Sequence, residues 1–325
     1  MDISFVNKIF QEQGNFEMLV KEVFAYQYEQ NRIYKDWCDC LQINVNNITA
    51  LQQIPFLPVS FFKTNKITCT SGPHDIIFES SGTTRSNKSR HYVKDIQLYK
   101  QSLTTGFEFF YGEPQSWCII GLLPSYLQQK NSSLVKMVDD LIKQSHHEES
   151  GFYLDEYQRL HTVLQQLEDQ QQKTLLIGVT YALLDFAEQF PMRLSSTMIM
   201  ETGGMKGRRR EITRDEVHGI LKKQFQIQQV HSEYGMTELL SQAYSASDGR
   251  FFCPPWMKVF VRDEDDPLLV KTKGKGALNV IDLANVHSCA FIATDDVGQV
   301  FDDGSFSVHG RLDGSDIRGC SLMVV

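Results

Sequence analysis

Residues 79–91 read ESSGTTRSNKSRH: Ser80, Ser81, Thr83 and Thr84 surround Gly82, and Arg85, Lys88 and Arg90 follow. Glycine lets the backbone curl and come close to a ligand, so several N–H groups can point at one anion while hydroxyls add donors. The cations that follow suit a polyphosphate. Gly82-x-x-x-x-Asn87-Lys88-Ser89 is one residue away from a Walker A loop, lacking its second glycine. Asparagine tolerates positive φ. That loop, however, needs a helix to begin at Lys-Ser, whereas Tyr92-Val93 follow and a helical pattern starts only near Asp95. A polar surface turn accounts for the same residues without any ligand.

A second constellation reads Ser232-Glu233-Tyr234-Gly235-Met236-Thr237-Glu238. Gly235 permits a tight turn that leaves the Tyr234 ring free to lie on a planar base. Thr237 can reach a phosphate, and Glu238 offers oxygen ligands to Mg²⁺. A third reads Thr294-Asp295-Asp296-Val297-Gly298, then His309-Gly310-Arg311-Leu312-Asp313. A carboxylate is the natural acceptor for two ribose hydroxyls, and an arginine pairs with phosphate. Taken singly, each piece is also an ordinary turn. The cluster Lys206, Arg208, Arg209 and Arg210 fits a phosphate, a partner or a solvated loop. His146-His147-Glu148-Glu149 lacks metalloprotease spacing and reads as an exposed loop.

The elements that must position these residues alternate along the chain. Phe16 to Tyr34 has helical periodicity, and Ile76 to Phe78 is a short buried strand leading into the first motif. Trp117 to Leu123, Leu175 to Val179 and Thr197 to Met200 read as strands. Ser133 to Lys143, Leu154 to Gln172, Ala182 to Gln189 and Thr213 to Phe225 read as helices, the last opened by a Thr213/Glu216 capping box. Such alternation predicts an α/β fold with a largely parallel sheet. After about Tyr244, short apolar runs between Asp- and Gly-rich turns predict an antiparallel β subdomain.

Composition bounds the rest. The 325 residues suggest roughly two domains and bury a large core without staples. Hydrophobic residues at 42% exclude a disordered chain, and a net charge of −8 disfavours nucleic acid as a partner. No signal peptide is read at the start, and the apolar stretch Leu175 to Ala187 is too short for a membrane span. Seven cysteines without a C-x-x-C pair argue for reduced thiols and a cytoplasmic protein.

In order and spacing, ESSGTTRSNKS, SEYGMTE about 150 residues later, TDDVG and GRLDGSDIRG together resemble the adenylate-forming superfamily of acyl- and aryl-acid ligases. The resemblance implies ATP and Mg²⁺ as cofactors. It assigns Ser80, Ser81, Gly82, Thr83, Thr84 and Lys88 to the phosphate loop, Tyr234 and Gly235 to adenine, Thr237 to phosphate and Glu238 to the metal. Asp296 takes the ribose role, with Asp295 standing where the superfamily has glycine, so either aspartate remains a candidate. Arg311 and Asp313 match its arginine and hinge aspartate. The segments Ile54–Ile67, Leu122–Val135 and Ile317–Val325 look like acyl-protein synthetases of the LuxE type, in which a cysteine near the C-terminus accepts the acyl group; here that is Cys320.

The fold so implied is the large N-terminal domain of these enzymes, with 1–244 as an α/β nucleotide- and acyl-binding body, 245–310 as a β subdomain and 311–325 as a hinge-derived tail. Twelve residues follow Asp313, so the resemblance implies no mobile C-terminal lid and none of its lysine; Lys88 or the Lys206–Arg210 cluster would replace that cation. The implied activity is conversion of a fatty or other carboxylic acid to acyl-AMP, then transfer to Cys320. From there the acyl group would pass to an acyltransferase, a reductase or an acyl carrier. Cys320, Lys88 and Arg311 are the catalytic candidates. A thiol titrates near ~8.5; Arg318 favours the thiolate and Asp316 opposes it. Two alternatives stay open: a CoA ligase of the phenylacetate type, and a non-catalytic nucleotide-binding subunit.

Overall fold

A computed structural model describes residues 4–11, 15–43, 45–80, 88–123, 131–154, 156–203 and 212–312. Ser81, Gly82, Thr83, Thr84, Arg85, Lys206 to Arg210, Asp313 and Cys320 lie outside the described residues. The chain forms two compact units. The first takes in the described residues of Met1–Gly106, Gly235–Gln242 and Phe252–Ser315, the second those of Phe107–Tyr234 and Ala243–Phe251.

The second unit is built on a six-stranded sheet. Its order is Gly151–Phe152, Cys118–Leu122, Thr174–Gly178, Thr197–Glu201, His231–Tyr234, Ala243–Ser245, and only the last strand is antiparallel. Cys118–Leu122 and Thr174–Gly178 are buried at every residue, which explains why they read as unbroken apolar runs: a parallel sheet is covered on both faces. The helices Ser133–Ser145, Tyr157–Asp169, Thr180–Gln189 and Arg214–Phe225 intervene along the chain. Thr213 caps the last of these, accepting from the Glu216 amide while the Glu216 carboxylate takes the Thr213 amide, so the box expected from spacing is formed.

The first unit carries a mixed six-stranded sheet ordered Leu57–Pro58, Phe291–Val300, Gly274–Asp282, Met257–Arg262, Val270–Lys271, with Phe306–Arg311 also paired to Phe291–Val300. All pairs are antiparallel except that of Leu57–Pro58. The β subdomain expected after Tyr244 thus recruits a short parallel strand from far upstream. A separate hairpin pairs Ile76–Glu79 with Arg90–Val93, Glu79 facing Arg90.

The single helix expected over Phe16 to Tyr34 is instead two, Phe16–Gln30 and Arg32–Cys40. Asn31 breaks it: its backbone N–H bonds the Gln27 carbonyl, its side-chain oxygen accepts from the Tyr34 amide, and its amide donates to the Ser288 carbonyl at 2.8 Å. An N-cap with a long-range partner outcompetes continuation of the helix. Among the described residues no helix is long and apolar enough to cross a membrane.

Candidate active site

The hairpin strands bring Ser80 and Ser89, on either side of residues 81–87, together. The Ser80 amide donates to the Ser89 carbonyl at 3.1 Å, and the Ser89 amide to Ser80 Oγ at 3.0 Å. Lys88 lies beside them with its ammonium 3.9 Å from Glu79, whose other oxygen is 3.4 Å from Arg90 Nε. Two cations thus share the one Glu79 carboxylate.

One residue beyond, His91 is buried and joins this hairpin to the second motif. Its Nδ1 lies 3.1 Å from the Thr237 carbonyl and its Nε2 2.7 Å from Ser288 Oγ. A carbonyl only accepts, so Nδ1 carries the proton and Nε2 accepts from the serine. Burial pulls the imidazole pKa down to about 4, the Thr237 bond and the charge of Glu238 pulling the other way. The ring is therefore neutral at pH 7.

The turn after Tyr234 is fastened from its other side by Asp282 and Asn285. Asp282 accepts from the Leu240 and Ser241 amides, from Ser241 Oγ at 2.6 Å and from the Ala284 amide. Burial raises its pKa, and those four donors lower it. Asn285 donates to the Glu238 carbonyl at 2.7 Å and accepts from the Leu240 amide. Gln27 in turn donates to the Asn285 and Val286 carbonyls and accepts from the Ala290 amide. Every backbone group named here is buried, and each unmade bond would carry the full cost of desolvation. The Glu238 side chain is itself buried. Among the described residues no three His, Cys, Asp or Glu side chains gather for a metal. A site offering one carboxylate would suit Mg²⁺ carried in on phosphate oxygens and not a protein cage.

The third motif lies on the mixed sheet, where Asp296 faces Arg311 across neighbouring strands. Arg311 binds both aspartates, Nη2 to Asp295 at 2.8 Å and Nε to Asp296 at 3.4 Å. Their burial differs: Asp296 is 6% exposed and Asp295 25%. Both carboxylates thus converge on the one Arg311 guanidinium. Gly298 closes the motif at a register shift; a Cβ there would sit 1.9 Å from the Ser307 carbonyl oxygen, so no side chain fits.

Tyr234 ends its strand in the second unit, its ring 5.8 Å from that of Phe251. The carboxyl ends of the parallel strands hold a buried ionic group that sequence reading missed. Glu201 Oε2 accepts from Thr180 Oγ1 and from the Gly203 amide at 2.7 Å; Oε1 lies 3.6 Å from Arg214 and 3.7 Å from His218. Burial alone would raise this carboxyl, but the His218 bond, Arg214 and Ser232 bring its pKa down to about 2. Glu233, beside Tyr234, has the opposite fate: burial, then repulsion from Glu201, push it up to about 8.

The structure thus brings Ser80, Lys88, Thr237 and Glu238 onto one bonded framework through His91, and Asp296 with Arg311 onto the sheet. His91 and Asp282 carried weak signals: a histidine at an apolar strand position, and an aspartate ending one.

No family model matches the chain. It is similar to the long-chain-fatty-acid–luciferin-component ligase of Aliivibrio fischeri, 25% identical over 99% of this chain and 92% of the relative. The ligase of the same name from Vibrio harveyi is 22% identical over 94% and 85%. Among solved structures, a 2-hydroxyisobutyryl-CoA ligase bound to its acyl-AMP and CoA superposes with a TM-score of 0.71 at 13% identity, over 94% of this chain and 69% of that one. Apo MatB from Rhodopseudomonas palustris gives 0.53 at 16%, over 76% and 50%. The chain is a homologue of the luciferin-component ligases and has the α/β fold of adenylate-forming ligases.

Proposed function

We propose that this protein is an acyl-protein synthetase that activates a long-chain fatty acid with ATP and loads the acyl group onto its own Cys320. The observation carrying the reading is the His91 tie between the hairpin of the phosphate loop and the Thr237–Glu238 turn, on a chain similar over its whole length to two fatty-acid ligases. A carboxylate oxygen attacks the α-phosphorus of ATP and pyrophosphate leaves; the Cys320 thiolate then attacks the acyl carbon and expels AMP. Ser80, the loop amides and Lys88 bind and orient the phosphates, Tyr234 stacks on adenine, Thr237 contacts phosphate and Asp296, steered by Arg311, takes the ribose hydroxyls. Mg²⁺, held at Glu238, supplies charge neutralisation on the phosphates when bound. The loaded thioester is handed to an acyltransferase, a reductase or an acyl carrier.

The other cysteines support Cys320 as acceptor. Burial raises the thiols of Cys38, to about 12, and of Cys118, to about 11, and also those of Cys69, Cys253 and Cys289. Cys40 is exposed and serves as the control. In Cys320→Ala, acid-dependent pyrophosphate exchange should persist while hydroxylamine-sensitive labelling by radioactive fatty acid disappears; Cys40→Ala should keep both. Full labelling of Cys320→Ala would refute the acceptor assignment, and loss of exchange in the wild type would refute adenylation.

A further inference from the structure

The first unit holds a cavity of about 570 Å³ against one face of its mixed sheet; Asp295 is in its wall, and none of the described residues assigned above to adenine and phosphate lines it. This lies within the range of ligand pockets, roughly 300–1,000 Å³. Trp37, Ile54, Phe56 and Pro58 give it apolar walls. Leu268 and Leu269 continue that surface to the rim, 63% and 47% exposed, where solvated leucines carry a standing cost.

Asn279 lines the cavity and is 1% exposed. Its Oδ1 accepts from Arg262 Nη1 at 2.8 Å, which fixes the amide's orientation because a guanidinium only donates. Its Nδ2 then meets no acceptor among the described residues. A buried donor with no protein partner is rare in a native fold and marks a place where a ligand oxygen belongs. The charges around it set the kind of oxygen. Arg262 and Arg311 stand against Asp295 and Asp296, two positive against two negative, and at the rim Lys271 offsets Asp263 at 3.1 Å. With Glu264 also lining the wall, no net positive charge awaits an anion.

We propose that this cavity is a second site, beside the Asp295–Arg311 pair, for a long-chain acyl group with an uncharged carbonyl head, an ester or thioester, whose carbonyl oxygen accepts from Asn279 Nδ2. The probe is the N-acetylcysteamine thioester of tetradecanoic acid, titrated by calorimetry without ATP against free tetradecanoate. The thioester should saturate at one per chain, bind at least tenfold tighter than the acid, and weaken roughly fourfold for each methylene removed. Asn279→Asp keeps the acceptor for Arg262, removes the donor and should lower thioester affinity tenfold or more. Leu269→Glu, at the exposed rim, guards against a folding defect: it should weaken thioester binding several-fold and leave acid-dependent pyrophosphate exchange at the wild-type rate. Non-saturable uptake, tighter binding of the acid, or indifference to both substitutions would overturn the site, whatever the outcome of the exchange assay.

Discussion

Two regions, one in each unit, bury polar side chains in opposite ways. In the first, the Thr237–Ser241 segment is held by neutral histidine, amide and hydroxyl groups and one aspartate surrounded by four donors. In the second, the strand ends hold Glu201 against Arg214, with His218 3.7 Å away, beside a Glu233 that burial keeps protonated. The first arrangement fixes backbone geometry through hydrogen bonds. The second stores charge, and its contribution moves with protons.

The sharpest way to break the contrast is Asp282→Ala. The Ser241 and Ala284 amides would lose their buried acceptor, at about 4 kcal/mol by urea unfolding; a loss under 1 kcal/mol would show the anchor to be dispensable. Next is Glu201→Gln, expected to cost about 3 kcal/mol at pH 7. Its pKa, down from 4.5 to about 2, sets the sign: the carboxylate's stabilisation is complete above about pH 4.5 and drains away as pH falls toward 2. The variant should therefore lack the acid-side slope that the wild type shows in that window.

Glu233→Gln should move stability the other way. The folded chain keeps a proton that the unfolded one releases above pH 4.5, so wild-type stability declines from there and levels off above about pH 8. The variant escapes that decline and should gain roughly 1–2 kcal/mol at pH 9, with no difference at pH 4. Smallest is Thr213→Ala, which removes a helix cap and should cost about 1 kcal/mol at every pH.

Elements whose signal is local were legible in the sequence. The buried strands showed as apolar runs and the Thr213 cap as a four-residue pattern, and both appear where spacing put them. What stayed hidden depends on distant partners. Asn31 ends a helix because Ser288 awaits its amide, and Leu57–Pro58 becomes a strand because Ile292–Ala293 lies alongside. The three motifs were legible as strings, but the residue joining two of them, His91, looked like any histidine in a strand. Between Asp295 and Asp296 the letters could not choose; burial separates the two, and Arg311 grips both.

Gln27 bonds to carbonyls 258 and 259 positions further along the chain. At roughly 5–20 residues per second, a ribosome takes about 13–52 s to cross that distance. Through that interval the first helix is finished but Gln27 lacks its partners, while the strand–helix repeats between them are synthesised in full and pair with near neighbours. Vectorial synthesis therefore orders the assembly: the parallel sheet can consolidate on the emerging chain, and the framework that holds the Thr237–Glu238 turn closes last.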